Sequence, residues 1–238
     1  MQINVDLGEG GKKDELFMSI INSCSIAVGG HYGSISTIKK TIRLAYKYGV
    51  NVGSHPSYPD KTNFGRVSIK MDLNKFQKSI HDQLLNFKKA LNYFKLDWHH
   101  CKAHGALYND LIHNQKLTTA YFEVLNEFSE INYLILPASK SIINDAEKKN
   151  FRVLKEIFSD RRYDEYLNLI PRKNANSMIT DITEFSANLK HLLKGKIRVS
   201  NHLFRNVLFD SICLHSDSLM SDKFIYKMHE ILNEEQIQ

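Results

Sequence analysis

Five short β-prone runs in this 238-residue chain end in an ionisable side chain at a glycine or a turn, and that repetition restricts the fold more than any other feature. They are residues 3–9 (INVDLGE), 26–31 (IAVGGH), 49–55 (GVNVGSH), 98–104 (WHHCKAH) and 211–215 (SICLH). Side chains alternate along an extended segment, so His100, Lys102 and His104 share one face while Cys101 and Ala103 take the other. Asn4 and Asp6 share a face in the same way, with Glu9 just beyond Gly8. In a parallel barrel every strand points the same way, and the C-terminal strand ends gather on one rim where the catalytic groups of such folds sit. The chain therefore reads as an α/β barrel in which Asp6, Glu9, His31, His55, Lys102, His104 and His215 converge on one cleft.

Amphipathic segments alternate with these runs, as a barrel requires. Helices are predicted over 14–21, from a Ser34 or Ser36 cap to 48, and over 73–94, 117–128, 139–149, 182–193 and 218–233. In the second of these, Ile35, Ile38, Ile42, Ala45 and Tyr46 form the core stripe, with Leu44 outside it and Gly49 as the C-cap. Further strands are predicted over 133–137, 151–158 and 197–200, whereas 166–181 has no clear period. The loop from His55 through Pro56, Tyr58, Pro59 and Asp60 to Arg66 is stiffened by its prolines, and Arg66 offers a planar fork to a carboxylate or phosphate, or pairs at the surface.

A chain of this length with 42% hydrophobic residues can bury one full core, so a single domain spanning 1–238 is expected. The net charge of +6 is spread in pairs such as Lys39-Lys40 and Lys88-Lys89, and the denser run 190–198 lacks the aromatic and glycine pattern of a nucleic-acid module. No nucleic-acid partner is expected. Cys24, Cys101 and Cys213 sit in apolar runs and read as reduced core residues rather than a disulfide or zinc framework. Asp6 and Glu9 interrupt the N-terminus before any signal-length apolar run, and no segment approaches a membrane span, so a cytoplasmic protein is expected. Gly8, Gly10 and Gly11 before Lys12 and Lys13 miss the spacing of a phosphate loop and read as a turn that brings Glu9 to the strand end.

In combination, Asn4-Val5-Asp6-Leu7-Gly8-Glu9, the turn to His31, His55-Pro56-Ser57-Tyr58-Pro59-Asp60 with Phe64-Gly65-Arg66, Lys102 with His104-Gly105-Ala106-Leu107-Tyr108-Asn109, Phe158 with Asp160-Arg161 and Tyr163, and Cys213 with His215 and Asp217 are highly specific. On these residues the chain resembles the LamB/YcsF family over most of its length. Val28, Gly30, Tyr32, Ser34, Val67, Ala103 and Ser216 depart from the family's usual residues, near the rim.

The resemblance implies a distorted seven-stranded βα (TIM-like) barrel of the glycoside hydrolase/deacetylase type. It also implies the role of an A subunit of 5-oxoprolinase, opening the 5-oxo-L-proline lactam to L-glutamate with ATP as co-substrate and with subunits B and C as partners. In that chemistry Lys102 would stabilise oxyanion or phosphoryl charge, Asp6 or Glu9 would be the base, and His104 would donate a proton to the leaving nitrogen. His31, His55 and His215 complete the catalytic set. Arg66 would hold the substrate carboxylate, with Tyr58, Asn109, Asp160, Arg161 and Asp217 as further substrate contacts. A divalent metal among Asp6, His31 and His55 is not favoured, because these three lack a tight ligand pair such as two histidines one helical turn apart, and acid-base or hydrogen-bonding roles explain the same residues. The alternative readings are an autonomous metal-dependent amide or carbohydrate hydrolase and a non-catalytic lactam-binding subunit.

Overall fold

In the computed structural model, which describes residues 1–200, 202–218 and 220–236, the short apolar runs pair side by side and the amphipathic segments cover them. The elements in order are β1 (Gln2–Leu7), α1 (Asp14–Met18), β2 (Ser23–Ala27), α2 (Ile35–Tyr48), β3 (Asn51–His55), α3 (Leu73–Phe94), β4 (His100–Cys101), α4 (Gly105–His113) and α5 (Gln115–Leu125). They continue with β5 (Tyr133–Pro137), α6 (Lys140–Lys148), β6 (Val153–Phe158), α7 (Ile182–Leu193), β7 (Lys196–Arg198), β8 (Phe204–Asn206), β9 (Ser211–Leu214) and α8 (Ser221–Gln236). Strands β1 to β6 pair in sequence order, and β9 inserts between β6 and β1 to close a seven-stranded barrel. Every pairing in it is parallel, so all seven C-terminal ends face one rim. Strand β4 is the shortest of the seven, two residues long.

The local reasons are those of the sequence. Ser34 caps α2 by accepting from Thr37 N while the Thr37 hydroxyl accepts from Ser34 N, and Gly49 ends it in the left-handed region at φ +67°. Helix α3 buries Phe76, Ile80, Leu84, Phe87 and Leu91 on one stripe. Two expectations fail on α2. Its buried stripe runs through Ile38, Thr41, Ile42 and Ala45, so Ile35 and Tyr46 fall at its edges and are exposed by 41% and 66%, while Leu44 packs against the core. Residues 196–198 pair not with the barrel but with 204–206, an exposed segment without apolar alternation. Helix α8 begins at Ser221 rather than 218, and Leu219 of that predicted span lies outside the described residues. No described helix is long and apolar enough to cross a membrane.

Between strands and helices the packing is apolar, but the barrel interior is not. Asn4 Nδ2 donates to Ser23 Oγ and lies 3.3 Å from His100 Nε2, and Ser25 Oγ lies 3.0 Å from the same nitrogen. Gly53 is required beside this imidazole, because a Cβ there would stand 2.3 Å from His100 ring atoms. As alternation predicts, Cys101 faces outward, its Sγ 3.4 Å from the Tyr121 hydroxyl of α5. All three cysteines are buried free thiols, and Cys213 faces inward, 3.2 Å from Lys102 Nζ.

Candidate active site

Above the His100 layer the barrel carries charge. Lys102 follows β4 and crosses the lumen, its Nζ 2.9 Å from Asp6 Oδ1 of β1 and 3.1 Å from Glu156 Oε1 of β6, with all three side chains almost out of water. Burial alone would drive the Lys102 ammonium towards neutrality, but the adjacent carboxylates, Asp6 foremost, outweigh it and hold the lysine charged. Burial likewise raises Asp6, yet His55 and Lys102 overcome it and keep that carboxyl well below the usual range. Glu156 is the odd member. Burial pushes it up to about 7, and although Lys102 is within ion-pair distance neither carboxylate oxygen has a well-aligned hydrogen bond.

One layer higher, the turns after the strands bring Glu9, His31, His55 and His104 together. His55 and His104 rings meet edge to face with His55 Nε2 3.0 Å from His104 Nδ1, and His31 stacks on His104 with centroids 3.7 Å apart. Glu9 Oε1 stands 2.9 Å from His31 Nε2 and 3.4 Å from His104 Nδ1. Burial pushes Glu9 up to about 8 and drives His31 and His104 far down. The Phe64 turn holds this layer: Phe64 and Gly65 both have positive φ, and a Cβ on Gly105 would stand 2.6 Å from the Gly65 carbonyl oxygen, so glycine is required where the two turns touch.

Across the rim the chemistry changes to arginine. His215, just past β9, donates from Nδ1 to Asp160 at 2.9 Å and stacks on Phe158. Arg161 does not pair with Asp160; it donates to the carbonyls of Ile170 and Ser177 and so ties down the unpatterned 166–181 segment. Arg66 pairs with Asp217, which Arg172 also approaches at 3.3 Å.

These groups surround a cavity of about 1170 Å³ lined by Asp6, Glu9, His55, Arg66, Lys102, His104, Asn109, Arg161, His215 and Asp217 from the sequence-derived set. His31 and Asp160 stand behind that surface, holding Glu9 and His215. Tyr58 is also set back: its hydroxyl donates to Asp110 at 2.8 Å and its ring is buried. Sequence reasoning missed Glu156 and Arg172. A charge within the apolar run VLKEIF was a signal for the first, whereas Arg172 sits in a segment without periodicity.

The profile of the LamB/YcsF family matches residues 1–238. Among similar proteins, the 5-oxoprolinase A subunit of Campylobacter jejuni is 34% identical over 248 residues, covering 100% of this chain and 96% of that protein. The protein of the same name from Pyrococcus horikoshii is 32% identical over 244 residues, covering 99% and 94%. Among solved structures, a lactam utilization protein from Thermus thermophilus superposes with a TM-score of 0.89 at 27% identity, covering 99% of this chain and 97% of that one. A family 4 carbohydrate esterase from Streptomyces lividans shares the fold alone, with a TM-score of 0.50 at 10% identity over 99% of this chain and 88% of that one.

Proposed function

The chain belongs to the LamB/YcsF family, and on that premise we propose that it is the A subunit of an ATP-dependent 5-oxoprolinase, opening 5-oxo-L-proline to L-glutamate with subunits B and C in the cytoplasm. One observation carries the reading: an ionised Asp6 and a charged Lys102 lie side by side on the floor of a cavity whose lip carries Arg66 and Arg172. A five-membered lactam presents one carboxylate and one amide, and these two levels match them. Arg66 and Arg172 share Asp217 at the surface, so a substrate carboxylate can take its place as their partner. The amide then reaches the floor, where Lys102 opposes negative charge growing on its carbonyl oxygen and Asp6 accepts a proton from the attacking water.

An unactivated lactam resists water, and ATP supplies the phosphoryl group that activates its carbonyl oxygen. The residues present fit such a co-substrate, since Lys140, Lys155, Arg161 and Lys173 line the same cavity. Its volume of about 1170 Å³ also lies beyond the roughly 300–1000 Å³ usual for one small ligand. His104 does not suit the donor role, because the proton on its Nε2 is committed to the Phe64 carbonyl at 2.9 Å. The donor to the leaving nitrogen is drawn instead from His215, which lines the cavity: burial lowers this ring below its ordinary value against the pull of Asp160 on Nδ1, so a proton taken up at Nε2 is readily passed on.

Reconstitution tests this. The chain with subunits B and C is expected to form glutamate and phosphate from 5-oxoproline and ATP, and to be inactive alone. Asp6→Asn, assembled to the same extent, is expected to lose roughly 10²–10⁴-fold in kcat, the usual contribution of a general base. Full activity in the assembled variant would leave a lactam-holding role only, and turnover by the chain alone would remove the partners.

A further inference from the structure

The histidine layer turns two ring nitrogens and a carboxylate oxygen toward one point. His55 Nδ1 is 2.8 Å from the Lys102 carbonyl oxygen and His104 Nε2 is 2.9 Å from that of Phe64. A carbonyl only accepts, so these nitrogens carry ring protons, and the two rings turn their remaining nitrogens to each other across 3.0 Å. Glu9 Oε1 is 3.4 Å from His104 Nδ1 and 4.0 Å from His55 Nε2, and Asp6 Oδ2 is 3.3 Å from His55 Nε2. His31 Nδ1 donates to Ser57 Oγ, whose own hydrogen goes to the Tyr58 carbonyl. Its Nε2 stands 2.9 Å from Glu9 Oε1 and holds that carboxyl beside the other two rings. Glu9 Oε1, His55 Nε2 and His104 Nδ1 thus face one another around one point at the cavity wall, the geometry of a cation's ligand set.

We propose that Glu9 Oε1, His55 Nε2 and His104 Nδ1 bind one divalent cation of the zinc class at the inner wall of the cavity. The three atoms lie within 4.8 Å of one another. From their separations of 3.0, 3.4 and 4.0 Å, the nearest point equidistant from all three lies in their plane about 2.1 Å from each, the bond length of zinc to imidazole nitrogen or carboxylate oxygen. The carbonyls of Lys102 and Phe64 supply the outer hydrogen bonds that fix a ligating imidazole's tautomer and ring plane. All three ligand residues line the cavity, so the ion keeps positions open on that side for water or a substrate oxygen, with Asp6 beside them. The ligands come from the ends of β1, β3 and β4, which is why no close pair appears in the sequence, and Glu9 and His104 replace the Asp6 and His31 weighed there. Two protons, one between the histidines and one on Glu9, would satisfy the same atoms, and protons and metal compete for any such ligand set.

The full chain, stripped with a chelator, decides between them without any substrate, so the result is independent of the lactam reading. Titration with Co²⁺ at pH 7.5 is expected to give visible d–d bands of a low-coordinate nitrogen–oxygen site that saturate at one equivalent. Zn²⁺ should displace the cobalt, raise the unfolding temperature and bind more weakly at pH 5.5. Glu9→Gln and His104→Ala, checked for folding by circular dichroism, are expected to lose the bands and to weaken Zn²⁺ by more than the roughly 10–100-fold that an outer partner costs. His81→Gln, on the exposed side of α3, should titrate as wild type. If the wild-type chain takes up no stoichiometric Co²⁺ or Zn²⁺, protons fill the layer and the proposal fails. Wild-type affinity in both folded ligand variants would overturn it equally.

Discussion

The floor of the cavity and its lip are built from the same kinds of charge under opposite conditions. On the floor, the Lys102, Asp6 and Glu156 side chains are 2%, 10% and 0% exposed, and the surrounding strands fix every one of them. At the lip, Arg66, Arg172 and Asp217 are 38%, 30% and 30% exposed and are carried by loops. Coulomb attraction is several-fold stronger in the drier setting, but so is the penalty for leaving a charge unpaired. The difference assigns tasks. The floor is held rigid before any ligand arrives, whereas the lip can exchange an internal carboxylate for an external one at little cost.

The sharpest way to break this contrast is Lys102→Met, which fills the lumen but leaves Asp6 and Glu156 without their cation. Removing one partner of a buried charged pair costs about 3–5 kcal/mol, so urea unfolding should show a loss of that order. The double variant Lys102→Met, Glu156→Gln should recover part of it, because one of the two stranded carboxylates is gone. A loss below about 1 kcal/mol in the single variant would mean that the floor charges are hydrated, and the distinction from the lip would fall.

The floor was the more legible half, and the reason is geometric. Strand alternation places Asp6 and Lys102 inward from sequence alone, and the bounds of β5, β9, α3 and α7 follow equally from local apolar period. The family resemblance made the barrel type explicit. Glu156 escaped because Lys155 and Glu156 stand side by side in β6, so alternation sends one charge inward without saying which. At the lip, Arg172 meets Asp217 across 45 residues of sequence, and its loop has no period to project. The β7–β8 hairpin and the exposure of Ile35 and Tyr46 were hidden similarly, since both depend on what packs opposite rather than on the segment itself.

A smaller effect concerns pH. The folded state raises Glu156 from 4.5 to about 7, so between those values the native chain binds more of this proton than the unfolded chain does. Stability from this group is therefore fully present below about 4.5 and is lost as pH rises through about 7. Glu156→Gln, neutral throughout, should flatten the slope of unfolding free energy over that window. An unchanged slope would show that Lys102 keeps Glu156 ionised in the native state, making the floor a full triad of charges.

The smallest expected effect on stability is at the lip, and it separates stability from function. Because Arg66 and Asp217 are about a third exposed, solvent screens their pairing, and a double-mutant cycle between Arg66→Ala and Asp217→Asn should return a coupling of only about 0.2–1 kcal/mol in unfolding. In the reconstituted complex the same substitutions should behave differently from each other. Arg66→Ala removes a charged contact to the substrate carboxylate, worth about 1.5–3 kcal/mol, and should raise KM for 5-oxoproline about tenfold or more. Asp217→Asn frees both arginines from their internal competitor and should lower KM or leave it unchanged. A rise in KM for Asp217→Asn as large as that for Arg66→Ala would mean that Asp217 positions the arginine rather than competing with the ligand. The lip would then be as preorganised as the floor, despite its exposure to water.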